Sequence, residues 1–450
     1  MLNQIIHGDC FEVLKNIPDN YFDSLITDPP AGINFMGKEF DKNKGGMLNW
    51  INWLSEIMAE AMRTMKPGAC GLVWSIPRTS HWTGMALELA GFRLIDCVHH
   101  CFGSGFPKSQ DISKHIDALY GAEREIVGKS NRHGVGIVGN GSSYEIPPQI
   151  PYITAPSTPE AKKYDGWKTP ALKPAVEGWW LVQKPISESS IARNILKHGV
   201  GGLNIEACRI EPQDKESFNK HWDRESISNM SGGNYRFPKS GEMEQRWDAP
   251  SGRYPANLIL SCGANCKGDN HSPDCPVSVI GGQSGFSVSS PHIRHNSASK
   301  SVSLGAKNSC LTTSVEDSGT AARYFKQLPF DPETVPSIYY QSKASSSDRS
   351  SNGTIKNTHP TVKSRHLMKY LITLITPENG TVLDPFCGSG TTAVACKELG
   401  RNYICIEKEK EYFDIAYDRI SQPREYSETE LEIMELKQPE FKQLSLLDLV

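Results

Sequence analysis

No run of 18 or more apolar residues occurs in the chain, and no basic-then-apolar segment opens it. A membrane-spanning helix needs about 20 such residues, and a secretory leader needs a charged start before its apolar stretch. Neither is expected, and the chain reads as intracellular. Positive charge is not in excess either: 48 Lys and Arg stand against 51 Asp and Glu, a formal net charge of −3. A polyanionic partner must therefore be met by a local basic surface, not by the field of the whole molecule. Twelve cysteines are present but scattered. Cys10, Cys70, Cys97, Cys387, Cys396 and Cys405 fall in apolar contexts and read as small core fillers in a reducing compartment, not as a disulfide frame. What remains is ordinary for a soluble α/β protein: 450 residues, 38% apolar, with a mean hydropathy of −0.44. That length holds one large core and at least one further module. The 38 glycines and 29 prolines imply long irregular stretches.

The most informative stretch is Val382-Leu383-Asp384-Pro385-Phe386-Cys387-Gly388-Ser389-Gly390-Thr391-Thr392. Thr381 to Asp384 reads as a short buried strand and Thr392 to Leu399 as a helix stopped by Gly400. Strand, glycine turn and helix bring backbone amides close to a ligand. A second strand, Tyr403 to Ile406, ends on Glu407, an acid placed to accept hydrogen bonds from a ribose. A Gly-x-Gly turn alone is common in α/β proteins, many of which bind no nucleotide. No Gly-Lys-Ser/Thr follows it, so a triphosphate-binding loop is unsupported.

The N-terminal quarter carries the second motif. Gln4 to His7 reads as a strand ending on Gly8-Asp9-Cys10, and Phe22 to Thr27 as a buried strand that delivers Asp28-Pro29-Pro30. Proline fixes φ and lacks an amide donor, so the carboxylate of Asp28 is rigidly aimed. That carboxylate and the Pro29 carbonyl are two acceptors that match the two hydrogens of an exocyclic amine. The competing reading is a turn with a surface aspartate. Asn49 to Met65 carries Trp50, Trp53, Leu54, Ile57, Met58, Met62 and Met65 as a helical stripe, expected in the core. Cys70 to Ile76 is a strand and Trp82 to Ala90 a helix. Phe92 to Cys97 and His99 to Phe102 read as an edge hairpin pair, with His99 and His100 as strand polar residues.

Together the two motifs resemble those of the S-adenosylmethionine-dependent DNA amino-methyltransferases, in the class whose catalytic motif precedes the cofactor turn. The resemblance implies a Rossmann-like fold, a mostly parallel seven-stranded sheet with permuted motif order and an inserted, irregular DNA-recognition region. It implies methylation of adenine N6 or cytosine N4 in double-stranded DNA, in a restriction-modification setting, by a cytoplasmic protein of a bacterium or phage. A homodimer is left open. Asp28, Pro29 and Pro30 would be catalytic. Asp9, Asp28, Thr361, Lys363, Asp384, Pro385, Phe386, Cys387, Gly388, Ser389, Gly390, Thr391, Thr392 and Glu407 would surround the cofactor, with Asp9 on its adenine amine and Thr361 and Lys363 in a segment, Asn357 to Lys363, that flanks its methionine end. Asp at position 28 points to adenine, since serine is commoner in the cytosine enzymes. The family aromatic after the two prolines is Ala31 here. Phe35, Phe40 or Trp50 are candidates for the missing face. No cysteine follows the prolines as it does in cytosine C5 enzymes. A DNA-binding protein that kept the fold with weak or no catalysis is the reading of a different class.

Residues 110 to 360 lack a sustained strand–helix rhythm. On the resemblance, 1–120 and 341–422 are the two halves of the catalytic domain, 121–340 the target-recognition region with a border around 168–204, and 423–450 an acidic tail. Tyr164, Trp167, Lys168, Lys173, Trp179 and Trp180 mix aromatic and basic residues, which suits stacking and phosphate contacts and equally suits a hydrophobic subcore. Cys262, Cys266, His271 and Cys275 are separated by three, four and three residues. Such ligands can hold one zinc, though the spacing is not Cys-x-x-Cys, and unliganded cysteines in a polar loop are the alternative. From Lys343 to Lys369 six Lys/Arg face one acid, Asp348. Lys343, Arg349 and Lys356 are expected on phosphates, Lys108 and Phe35 beside the flipped base.

Overall fold

The central strand of the molecule is Phe22–Thr27, and every residue in it is buried. The computed structural model describes residues 2–34, 37, 39–103, 109–129, 152–212, 251–262, 266, 270–273, 275–289, 293–294, 312–313, 317–329, 357, 359 and 361–421. Nine strands form one sheet: β1 (Gln4–His7), β2 (Phe22–Thr27), β3 (Met65–Ser75), β4 (Arg93–Phe102), β5 (Val176–Gln183), β6 (Leu258–Ser261), β7 (Lys326–Leu328), β8 (Thr381–Asp384) and β9 (Asn402–Glu407). Their spatial order is β1-β9-β8-β2-β3-β5-β4-β6-β7. Only β5 runs antiparallel to its neighbours; the remaining pairings are parallel. The run from β1 to β4 is the expected seven-stranded sheet of a Rossmann-like methyltransferase fold, and β6 and β7 extend its far edge.

The topology explains the permutation. β8 and β9 come from the C-terminus, yet they lie between β1 and β2 from the N-terminus. Strands covered on both faces read as continuous apolar runs, but β2 also carries Asp23, Ser24 and Thr27. Each has a buried partner. Asp23 accepts from the Thr381 amide at 2.8 Å and from Lys66 Nζ at 2.6 Å, and the Ser24 hydroxyl lies 2.8 Å from that of Thr376. These bonds tie the two chain ends together at the centre of the sheet.

The helices are α1 (Cys10–Lys15), α2 (Met47–Thr64), α3 (Ser80–Leu89), α4 (Ile112–Leu119), α5 (Pro159–Lys163), α6 (Ile191–His198), α7 (Pro276–Ser284), α8 (Arg365–Ile375), α9 (Thr391–Glu398) and α10 (Lys410–Ser421). One core cluster packs α1, α2 and α3 against the sheet, and the other packs α8 and α9 against the opposite face. In α2 the buried positions Trp50, Ile51, Leu54, Ile57, Met58 and Ala61 recur at helical spacing and make the expected core stripe. Among the described residues, no helix is long and apolar enough to cross a membrane.

One local expectation is corrected. Phe92 to Phe102 is no edge hairpin: β4 is one strand with β5 on one side and β6 on the other. His100 is a strand polar residue as expected, and its partner, the Ser261 hydroxyl at 2.7 Å, is remote in sequence. Trp179 and Trp180 lie in β5, inside the sheet. Trp179 is fully buried, and Trp180 donates to the Ser80 carbonyl at 3.2 Å. Of the two readings that the sequence left open for this pair, they take the hydrophobic core.

Candidate active site

The loop after β8 is built by Asp384. Its Oδ1 accepts from the Thr27 hydroxyl at 2.8 Å and the Phe386 amide at 3.1 Å, and its Oδ2 from the Thr392 hydroxyl at 2.5 Å. One buried carboxylate thus fixes the end of β2, the start of the turn and the start of α9. Burial raises its pKa to about 6, against the pull of the Thr392 and Thr27 hydroxyls. The turn then needs glycine twice. Gly388 has φ +54° and Gly390 φ +83°. A Cβ would lie 2.9 Å from His359 Nε2 at the first and 2.9 Å from Ala416 Cβ at the second. Positive φ without a side chain is glycine's use.

At the end of β9, Glu407 faces this turn. Its carboxylate accepts from the Gly388 amide at 2.7 Å and the Glu409 amide at 2.8 Å. Burial nevertheless pushes its pKa up to about 7. Asp9 follows the adjacent strand β1, in register with Glu407 through the pair His7–Glu407. It caps α1 by accepting from the Phe11 amide at 3.0 Å and lies 3.1 Å from Lys408 Nζ.

Asp28 follows β2, and its carboxylate meets Lys363. The Nζ–Oδ2 distance is 2.6 Å. The ammonium also sits over the Trp74 ring, 4.0 Å from its centroid, and Trp74 Nε1 donates to Glu177 at 2.9 Å. Burial raises the Asp28 pKa to about 6, and Lys363 opposes that rise. The loop beyond the prolines is held by Asp41, which accepts from the Gly32 amide at 2.8 Å and the Ile33 amide at 3.2 Å.

All of this opens on one cavity of about 1470 Å³. Of the residues singled out for catalysis and the cofactor, Asp9, Asp28, Pro29, Pro30, Thr361, Lys363, Asp384 to Ser389, Thr391, Thr392 and Glu407 line it, and Gly390 does not. Gly390 sits behind the wall, against Ala416 of α10. Phe35, Lys108, Lys343, Arg349 and Lys356 lie outside the described residues. Of the other candidates for the missing aromatic, Trp50 is fully buried and unavailable, and Phe40 lines the cavity beside Tyr412 with ring centroids 6.1 Å apart. Sequence reasoning missed Trp74, Glu177 and His100, which also line the cavity. They reach it from β3, β5 and β4, and only strand pairing brings them together. Burial lowers the His100 pKa.

Cys262, Cys266, His271 and Cys275 come together beyond β6, their ligand atoms all within 4.8 Å of one another. Cys262 and Cys275 also line the cavity. Burial raises the Cys262 thiol, with the neighbouring sulfurs adding to it. Burial also acts to raise Cys266, but hydrogen bonds from Ser272 outweigh it and leave that thiol below its ordinary value.

The type II methyltransferase M2.LlaDCHI of Lactococcus lactis subsp. cremoris is 47% identical over 68 residues, 15% of this chain and 25% of that protein. The type II methyltransferase M.HinfI of Haemophilus influenzae is 38% identical over 94 residues, 21% of this chain and 26% of that protein. The chain thus spans about a quarter of the length of these curated relatives. Among solved structures, the cytosine-N4-specific PvuII DNA methyltransferase aligns with a TM-score of 0.39 at 12% identity, covering 96% of this chain and 90% of that one. The model of the DNA methylase family, the N6/N4 methyltransferases, matches residues 22–418, and the chain belongs to that family.

Proposed function

We propose that the protein is an S-adenosylmethionine-dependent DNA methyltransferase acting on the exocyclic amine of a base flipped out of duplex DNA. Adenine N6 is the first reading, on Asp rather than Ser at position 28, and cytosine N4 the second. The observation that carries it is the shared cavity. Asp28, from the start of the chain, and the Gly388–Glu407 pair, from its end, open on one space of about 1470 Å³.

The donor set fits the cofactor. Each Glu407 oxygen accepts one backbone amide, and a carboxylate oxygen has a second lone pair free for a ribose hydroxyl. Asp9 lies at the neighbouring strand end for the adenine amine. Phe386 packs on Trp53, with centroids 5.9 Å apart, and walls the methionine end. S-adenosylmethionine, when bound, supplies an activated methyl group, so the protein's task is mainly positioning.

A base cannot be reached inside a duplex, and flipping it out costs a few kcal/mol. Asp28 and the Pro29 carbonyl would then take the two amine hydrogens and aim the nitrogen lone pair. Positive charge develops on that nitrogen, and an ionised Asp28 favours it. Lys363 keeps Asp28 ionised despite its burial. Residues 121–340 would contact the target sequence, and the setting would be the cytoplasm of a bacterium or a phage-infected cell.

Methyl transfer from tritiated cofactor to duplex DNA tests the proposal. Asp28→Ala should abolish transfer and leave DNA retention on a filter largely intact. Unchanged transfer by that variant would refute the catalytic assignment, and absence of transfer by the wild type would favour a DNA-binding protein that kept the fold. Nucleoside analysis of the product DNA separates N6-methyladenine from N4-methylcytosine.

A further inference from the structure

We propose that Cys262, Cys266, His271 and Cys275 bind one structural zinc ion, which pins the β6 edge of the sheet to α7 and fixes one wall of the cavity. The four ligand atoms lie close enough together to surround one ion. His271 Nδ1 lies 3.4 Å from Cys262 Sγ and 3.9 Å from Cys275 Sγ, and no ligand pair exceeds 4.8 Å. Zinc with bonds of about 2.3 Å to sulfur and 2.0–2.1 Å to nitrogen separates tetrahedral ligand atoms by roughly 3.5–3.8 Å. The longest gap therefore closes by about 1 Å on binding. One tautomer serves both contacts, with the proton on Nε2 and the Nδ1 lone pair facing the sulfurs.

A second observation is independent of the ligand distances. The Ser272 amide donates to Cys266 Sγ at 3.3 Å, and the Ser272 hydroxyl lies 3.5 Å from it. Donors aimed at a sulfur stabilise a thiolate and orient it, as outer-shell groups do around bound metals. Four protein ligands also leave no open position, the mark of a structural zinc site.

The placement says what the ion is for. Cys262 directly follows β6, and its amide bonds the Leu328 carbonyl of β7 at 3.0 Å. Cys275 caps the start of α7. Among the described residues the buried apolar cluster between them is small, Leu260, Val277 and Ala322 beside Cys275 itself, with Leu258, Ile280 and Phe325 partly buried against it. A core that small needs a staple. The residue before Cys262 is Ser261, whose hydroxyl holds His100 Nε2 at 2.7 Å, and both line the cavity. Metal binding would thus hold Ser261, and through it His100, in the cavity wall.

The test is the metal content of the purified full-length chain, grown with zinc and kept from chelators. It should hold about one zinc per chain. Cys266→Ser should lose most of it, and Cys97→Ser, a change at a cysteine outside the cluster, should keep it. Because a cluster variant can misfold, the wild type is examined as well. A mercurial thiol reagent should release the zinc to a chromogenic chelator, and cobalt in its place should give the intense visible bands of tetrahedral thiolate coordination. Zinc near zero, full zinc retention by Cys266→Ser, or a disulfide between two of the three cysteines overturns the assignment. None of these readouts depends on methyl transfer.

Discussion

The Lys363 ammonium lies 2.6 Å from the Asp28 carboxylate, although 335 positions separate them in the chain. Burial drives the Asp28 pKa upward, the charges of Glu177 and Asp41 add to it, and Lys363 is the main brake on that rise. If Asp28 acts as its anion, methyl transfer should rise with pH through about 6. Lys363→Met removes the brake. Losing a close opposite charge moves a carboxyl by about 1 unit or more, so the ascending limb of the rate profile should move up by that amount. Lys363→Arg should restore it. Single-turnover rates across the pH range measure the limb, and superimposable profiles for wild type and Lys363→Met would show that the pair does not set it.

Trp74 lies against this pair. Its ring already carries the Lys363 ammonium, at 4.0 Å, and its indole N–H is fixed on Glu177. Trp74, stacked on a flipped base, would stand in for the aromatic that Ala31 replaces. Base–aromatic stacking is worth about 1–3 kcal/mol by alanine substitution. Trp74→Ala should therefore weaken use of duplex DNA by roughly tenfold or more, with cofactor affinity unchanged, whereas Trp74→Phe should recover most of the loss. Steady-state kinetics with each substrate varied in turn would reveal it. An equal loss toward both substrates would point to collapse of the β3 wall instead.

How far the sequence could be read follows from where each partner lies. The turn from Asp384 to Thr392 was legible because its determinants are local: a short apolar strand, two glycines, then a helix. Asp28-Pro29-Pro30 was legible for the same reason. β4 reads from sequence as two arms, because the strands that flank it on both sides, β5 and β6, are remote in the chain. For Trp179 and Trp180, near Lys168 and Lys173, the sequence leaves a stacking surface and a hydrophobic subcore equally open. Their burial depends on β3 and β4, far upstream. The three-residue strand β7 is too short to carry a period. The Trp74–Lys363–Asp28 contact joins three remote segments, and no local signal marks it.

Glu407 offers a check on the cofactor end. Both of its oxygens accept backbone amides. Glu407→Gln would turn an NH₂ toward one of those amides, so the turn should shift. Cofactor affinity should fall about tenfold, equivalent to about 1.4 kcal/mol, as read by titration calorimetry. There is a stability consequence too. The folded pKa of about 7 lies above the ordinary 4.5, so the folded state holds a proton that the unfolded chain has released. This contribution is fully present below pH 4.5 and disappears as pH rises through about 7. Urea unfolding between pH 5 and 8 should show stability falling with pH, less steeply in Glu407→Gln. Equal slopes would mean that the group is not buried as described.

Gly390 touches no part of the cavity yet should be among the least replaceable residues of the turn. An alanine there must hold φ +83° and place its Cβ 2.9 Å from the Ala416 Cβ and 3.1 Å from the Ala416 Cα. The first demand costs about 1–2 kcal/mol for an L-residue, and overpacking against α10 typically adds 1–3 kcal/mol. Gly390→Ala should lower the melting temperature by several degrees. Ala416→Gly alone should also destabilise, by about 1 kcal/mol, as glycine does inside a helix. Combined, the two changes should cost less than their sum, because removing the Ala416 Cβ relieves the closer of the two contacts. The strain in φ should persist, so the double variant should not reach wild-type stability. Strict additivity in this cycle would show that α10 can move away from the turn.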